Sequence, residues 1–162
     1  MKSKLLAALL LVSIHAAAQG SYISRLWNTK SYNEIIEFAR KAERLSGRDN
    51  MLIGRAFMAT IPSQPEEAVI HYDLAVQKRM NSEDLYFFRS EALYELKLLD
   101  AALADLEKCL DFRKDHQKYL LLKAAIQYEK GDLKHAYETY YAISELYDKQ
   151  TPFYMLAVIS LE

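Results

Sequence analysis

An all-α fold of stacked antiparallel helical hairpins is predicted by three observations. One residue pattern recurs every thirty-four positions, small and apolar residues within each copy fall at helical spacing, and helix-stopping residues stand between copies. The clearest pair sets Ser90–Leu110, SEALYELKLLDAALADLEKCL, against Ala124–Ser144, AAIQYEKGDLKHAYETYYAIS. Five ladders keep the interval: Ala68, Ala102 and Ala136; Tyr72, Leu106 and Tyr140; Ala75, Cys109 and Ile143; Ala56, Ser90, Ala124 and Val158; Leu52, Tyr86, Leu120 and Tyr154. Composition alone does not produce five ladders in one register.

The elements follow in chain order. Lys2 and Lys4 precede an apolar run, Leu5–Ile14, and Ala16-Ala17-Ala18 precede Gln19. Basic, apolar, small is the order of a secretory signal, here residues 1–18, and an apolar run of about ten residues is too short to span a bilayer core of about 30 Å. No cysteine follows the small residues, so a lipid anchor is not indicated. The Ala-Gln junction is similar to signal peptides of Gram-negative envelope proteins, which implies an exported, periplasmic or envelope-associated chain. The remainder, residues 19–162, is expected to be one helical domain without a membrane span.

Residues 21–48 read as a degenerate first repeat, with Tyr32, Ile35, Ala39 and Ala42 reproducing a second-helix pattern one residue out of register. Three full repeats follow at 49–82, 83–116 and 117–150, and residues 151–162 read as the first helix of another. Second helices carry their small or apolar residues at steps of four and three, as in Ala102, Leu106, Cys109 and in Ala136, Tyr140, Ile143, so these share one helix face. Alanines at 68, 102 and 136 let neighbouring helices approach closely. Capping boxes are expected at Ser31–Glu34 and Ser63–Glu66, a turn and N-cap at Gly131-Asp132, and a cap followed by proline at Thr151-Pro152.

On these residues the chain resembles the tetratricopeptide repeat family. The stretch YFFRSEALYELKLLDAALADLEKCL is similar to a common variant of the motif with an arginine before the small residue. Alanine or serine replaces the usual glycine at 56, 90 and 124, and Met80, Lys114 and Asp148 stand at the usual proline position. The resemblance implies a right-handed superhelical α-solenoid that binds protein segments and does no chemistry of its own.

Charge and chemistry narrow the function classes. The chain carries a net charge of −1; residues 1–18 hold two lysines and no acid, so cleavage leaves −3. Interspersed charge of that sign gives no nucleic-acid footprint. With 27% charged and 51% apolar residues, the chain is a globular protein and not a disordered one. The single cysteine, Cys109, excludes an intrachain disulfide and reads as a buried apolar residue, since Ala75 and Ile143 hold its place in neighbouring repeats. His71, His116 and His135 lack metal-type spacing, and Gly20, Gly47, Gly54 and Gly131 form no phosphate-cradling loop. No cofactor, metal or catalytic residue is therefore assigned. Arg55, Arg89 and Lys123 also recur at thirty-four; local pairing, as of Arg89 with Asp105, is expected in preference to an anion-binding row.

In stacked hairpins the first helices line the concave side. With Leu52, Tyr86, Ser90 and Ala124 turned inward, the opposite face carries Ile53, Phe57, Phe87, Phe88, Glu91, Tyr94, Glu95, Leu121, Tyr128 and Glu129. These are the expected partner-binding residues. Some members of the family grip terminal carboxylates with Lys and Asn on this face; here aromatic and acidic residues stand there, suited to an apolar or mildly basic protein segment. In the stretch TPFYMLAVISLE, Tyr154, Val158 and Leu161 would pack on the preceding hairpin. Phe153, Met155, Leu156 and Ile159 are left over, an expected contact with a second copy, a two-fold homodimer being the simplest closed arrangement. A structural or oligomerisation module belonging to a longer protein is the alternative reading, and an uncharacterised enzyme the remote one.

Overall fold

The computed structural model describes residues 22–147. The signal reading at 1–18, the Thr151-Pro152 cap, Tyr154, Val158 and the contact residues Phe153, Met155, Leu156 and Ile159 lie outside the described residues. Those that are described form helices only, with no strand among them. They fall into two compact units divided between Asn81 and Ser82, one residue from the repeat boundary read in the sequence.

The first unit holds α1 (residues 22–28), α2 (Tyr32–Ala39), α3 (Gly47–Ala59) and α4 (Pro65–Gln77). α3 packs on α2 and on α4. Its start carries a capping box that the sequence reading missed: the Ser46 hydroxyl accepts from the Asp49 N–H at 3.1 Å, and Asp49 Oδ2 accepts from the Ser46 N–H at 2.8 Å. The box expected at Ser63 does not form, because Gln64 is the cap residue and Pro65 opens the helix. Ser31 does stand at the start of α2, but its hydroxyl meets Thr29 Oγ1 in place of the backbone. α2 stops at Ala39, which leaves Ala42 outside the helix; Ile35 and Ile36 are its buried residues. At the α3–α4 crossing, Gly54 lies against the Tyr72 ring, and a Cβ there would come within 2.6 Å of Tyr72 Cε1.

The second unit holds α5 (Glu83–Glu95), α6 (Leu99–Phe112), α7 (Gln117–Glu129) and α8 (Leu133–Leu146). α5 pairs with α6, α7 pairs with α8, and α6 also contacts α7. Ser82 caps α5 through Leu85 N–H at 3.3 Å, and Asp132 caps α8 through His135 N–H at 3.4 Å. Helices close on a left-handed residue whose follower's N–H bonds back five residues: Leu98 to Leu93 O at 2.9 Å and Asp132 to Gln127 O at 2.9 Å. The left-handed residues are Lys97 and Gly131, thirty-four apart, and only glycine takes that conformation without a Cβ penalty.

The alanine ladder is the hairpin interface. Ala68, Ala102 and Ala136 are fully buried, as are Ala56, Ser90 and Ala124 on the first helices. Tyr72, Leu106 and Tyr140 are buried beside them, and so are Ala75, Cys109 and Ile143. Ser90 satisfies its hydroxyl within its own helix, donating to Phe87 O at 2.7 Å. Burial pushes the Cys109 thiol up to about 12, with Asp105 and Glu83 adding to the effect, so it is an inert apolar residue as its register suggests.

Candidate protein-binding surface

On the second unit the first helices of two successive repeats, α5 and α7, enclose an open groove of about 410 Å³. Phe87, Leu121 and Leu122 give it apolar walls, and Glu91 and Lys118 supply one charge of each sign. Helical spacing brings Lys118, Leu121 and Leu122 together at steps of three and four along α7, as it does Phe87 and Glu91 along α5. The walls are half-buried, wet on one side and packed on the other.

Phe87 is held from behind. Its ring meets Phe88 at 5.9 Å and Tyr119 at 5.0 Å between centroids. Tyr119 in turn stacks on His116 at 4.1 Å and donates its hydroxyl to Glu83. Burial raises the Tyr119 phenol, and its bond to the Glu83 carboxylate raises it further, so it stays a neutral donor. Glu83 is also held by Arg113 Nε at 3.1 Å. These contacts fix the aromatic wall in place, and a preorganised wall loses little entropy on meeting a partner.

Beyond the groove, Glu129 accepts from Lys97 Nζ at 2.5 Å and from the Tyr94 hydroxyl, which ties the α5–α6 turn to the end of α7. Those two bonds lower the Glu129 carboxyl; burial and the same carboxylate raise the Tyr94 phenol. Lys97 also lies over the Tyr94 ring, 5.1 Å from its centroid.

The expected partner-binding residues therefore separate into groups. Phe87, Glu91 and Leu121 line the groove, with Phe88 behind it. Tyr94 and Glu129 belong to the neighbouring polar cluster, Glu95 is exposed, and Tyr128 packs half-buried against the α7–α8 core. Ile53 and Phe57, in the first unit, are core residues at 0% and 6% exposure. α3 is covered by α2 as well as by α4, so the side of the helix expected to meet a partner is already packed; Phe57 stacks on His71 at 5.5 Å. Lys118 and Leu122 were missed, although their spacing from Leu121 and Phe87's place in the register were visible.

A second hollow, about 580 Å³, lies in the first unit between the turn at Lys30 and the loop Ala59–Gln64. It is larger, but loop residues form much of its wall and none of the expected residues lines it. Among the described residues no group of three or more His, Cys, Asp or Glu could hold a metal, and no helix is long and apolar enough to cross a membrane.

No known family profile matches the chain, and no curated protein matches it. Among solved structures it is similar to the first TPR of Spaghetti (RPAP3) bound to the HSP90 peptide SRMEEVD, with a TM-score of 0.62 and 18% identity over 71% of this chain and 90% of that one. The fold is that of tetratricopeptide repeats.

Proposed function

We propose that this protein is a non-enzymatic scaffold that holds a segment of another protein in the α5–α7 groove. The observation that carries the reading is the groove itself, in which apolar walls of Phe87, Leu121 and Leu122 stand beside Glu91 and Lys118 on two helices. Buried aromatic and aliphatic anchors supply most of the affinity in such contacts, and flanking charges set register. The partner segment therefore presents apolar anchors to Phe87, Leu121 and Leu122. The similar RPAP3 domain, bound to a peptide in its solved structure, supports a peptide as the kind of ligand. The signal-like residues 1–18 support a place in the bacterial cell envelope for this scaffold.

Selection from a displayed peptide library on the purified chain, followed by NMR mapping of the selected peptide, tests the binding reading. Amide shifts should cluster on α5 and α7, and Leu121→Glu should abolish them while the far-UV spectrum stays helical. Shifts confined to α6 and α8 would count against the groove. The envelope reading is checked by mass spectrometry of the protein from its native cell, where the first residue should be Gln19; intact residues 1–18 on cytosolic protein would exclude it.

A further inference from the structure

Cations from two separate segments meet at one corner of the first unit. Arg44 and Arg48 flank the start of α3, and Lys78 and Arg79 follow the last turn of α4. The two helix ends touch: a Cβ built on Gly47 would lie 3.6 Å from Lys78 Cβ and 3.0 Å from Met80 Cβ. Arg44, Arg48, Lys78 and Arg79 are all exposed, and none of their side chains pairs with a carboxylate among the described residues. Of the acids alongside, Glu43 is exposed, and Asp49 is occupied by the Ser46 N–H at 2.8 Å and the Ser46 hydroxyl at 2.6 Å. The chain as a whole is net negative, so this corner runs against the sign of the rest.

Folding does not call for cations at two of these places. Arg48 stands in the first turn of α3, where the positive end of the helix dipole disfavours a cation. Arg79 is left-handed, with φ 60°, just past the end of α4, and the Met80 N–H closes that end on Ala75 O at 3.1 Å. Glycine would take this conformation without a Cβ penalty. Each arginine costs stability where it stands, so the hairpin does not account for it.

Separate charges without a shared cavity call for a partner with dense negative charge, not for one shaped ligand. Neither hollow described above is lined by them. An anionic bilayer presents such a surface already assembled, whereas an acidic peptide would lose chain entropy on lying across a corner that gives it no groove. Leu45 and Met80 stand half-buried beside the cations, and apolar side chains among basic ones suit the lipid–water boundary. We propose that the corner of Arg44, Arg48, Lys78 and Arg79 is a docking surface for the phosphates of an anionic lipid bilayer. It uses none of the residues of the α5–α7 groove and needs no peptide ligand.

Co-sedimentation of the protein, produced in its native cell, with vesicles tests this. Binding should be stronger to equimolar phosphatidylcholine and phosphatidylglycerol than to phosphatidylcholine alone, and the difference should fade as salt is raised. Each of Arg44→Gln, Arg48→Gln, Lys78→Gln and Arg79→Gln should weaken binding to the mixed vesicles about fivefold, with the far-UV spectrum unchanged. Lys114→Gln with Lys134→Gln removes two exposed cations of the second unit and should leave binding within about twofold of the starting chain. Equal binding to the two kinds of vesicle, or an equal loss in the Lys114–Lys134 variant, would overturn the proposal. Tighter binding to poly-glutamate or to inorganic phosphate than to the mixed vesicles would overturn it too, and would assign the corner to an acidic protein or to a free anion.

Discussion

Replacing Arg89 by methionine should be among the most damaging single changes in the second unit. Arg89 makes a two-pronged contact with Asp105, Nε to Oδ2 at 2.6 Å and Nη2 to Oδ1 at 2.7 Å. The Asp105 side chain is 2% exposed and that of Arg89 14%. Removing one member of a buried pair strands the other charge and costs about 3–5 kcal/mol. Here Lys108 Nζ, 3.4 Å from Asp105 Oδ1 with a side chain 47% exposed, offsets part of the loss. The expected cost of Arg89→Met therefore falls somewhat below that range, at about 2–3 kcal/mol. Removing both charges, as in Arg89→Met with Asp105→Leu, leaves no stranded carboxylate and should recover most of that loss. Urea unfolding followed by far-UV circular dichroism measures the difference, with the slope checked for constancy because the chain has two compact units. A loss below about 0.5 kcal/mol for the single variant, or a double variant as unstable as the single one, would refute the stranded-charge argument.

Gly54→Ala should cost about 1–3 kcal/mol, read from the same unfolding curves, since the new Cβ would press on the rigid Tyr72 ring; a neutral result would mean that α3 and α4 can part at little cost. The Cys109 thiol should resist alkylation at neutral pH in the folded chain and react fully in denaturant. Its raised value also fixes a sign: the unfolded thiol ionises near 9 and the folded one near 12, so the unfolded state sheds its proton first and stability falls as pH rises through that window. Cys109→Ala should flatten that fall, and an unchanged slope between these pH values would show that other groups set it.

The ladders were legible because each repeat places equivalent residues in equivalent surroundings, so the alanine at 68, 102 and 136 reports the same helix crossing three times. Where surroundings are not repeated, legibility ends. Ile53 and Phe57 were assigned to a surface because α3 was read like α5 and α7, but α2 packs beside it and most of α3 is buried. The α3 capping box escaped notice because aspartate, not glutamate or glutamine, closes it at the third position. Lys97 carries no turn signal of its own; its left-handed backbone was visible only through Gly131 one period on. Groove lining was legible in part, since it depends on how two first helices lie side by side as well as on which face each presents.

The cation row shows what the period selects and what it leaves free. Arg55, Arg89 and Lys123 hold one register position, yet each has a different local partner. Arg55 lies over the Trp27 ring, 4.2 Å from its centroid; Arg89 grips Asp105 in its own hairpin; Lys123 reaches Glu107 in the hairpin before it. What recurs is a long aliphatic stem that covers apolar surface at a helix junction and delivers its charge to the edge. The carboxylate or ring that meets the charge varies with the neighbouring helix. An anion arriving at this row would have to displace a two-pronged carboxylate from Arg89 and a single one from Lys123, giving up contacts already as good as those it could make. Titration with inorganic phosphate should therefore leave the side-chain NMR signals of Arg89 and Lys123 in place at millimolar concentration. Saturable shifts at both, lost in Arg89→Met, would show that the row binds anions after all and that the carboxylates are its gate.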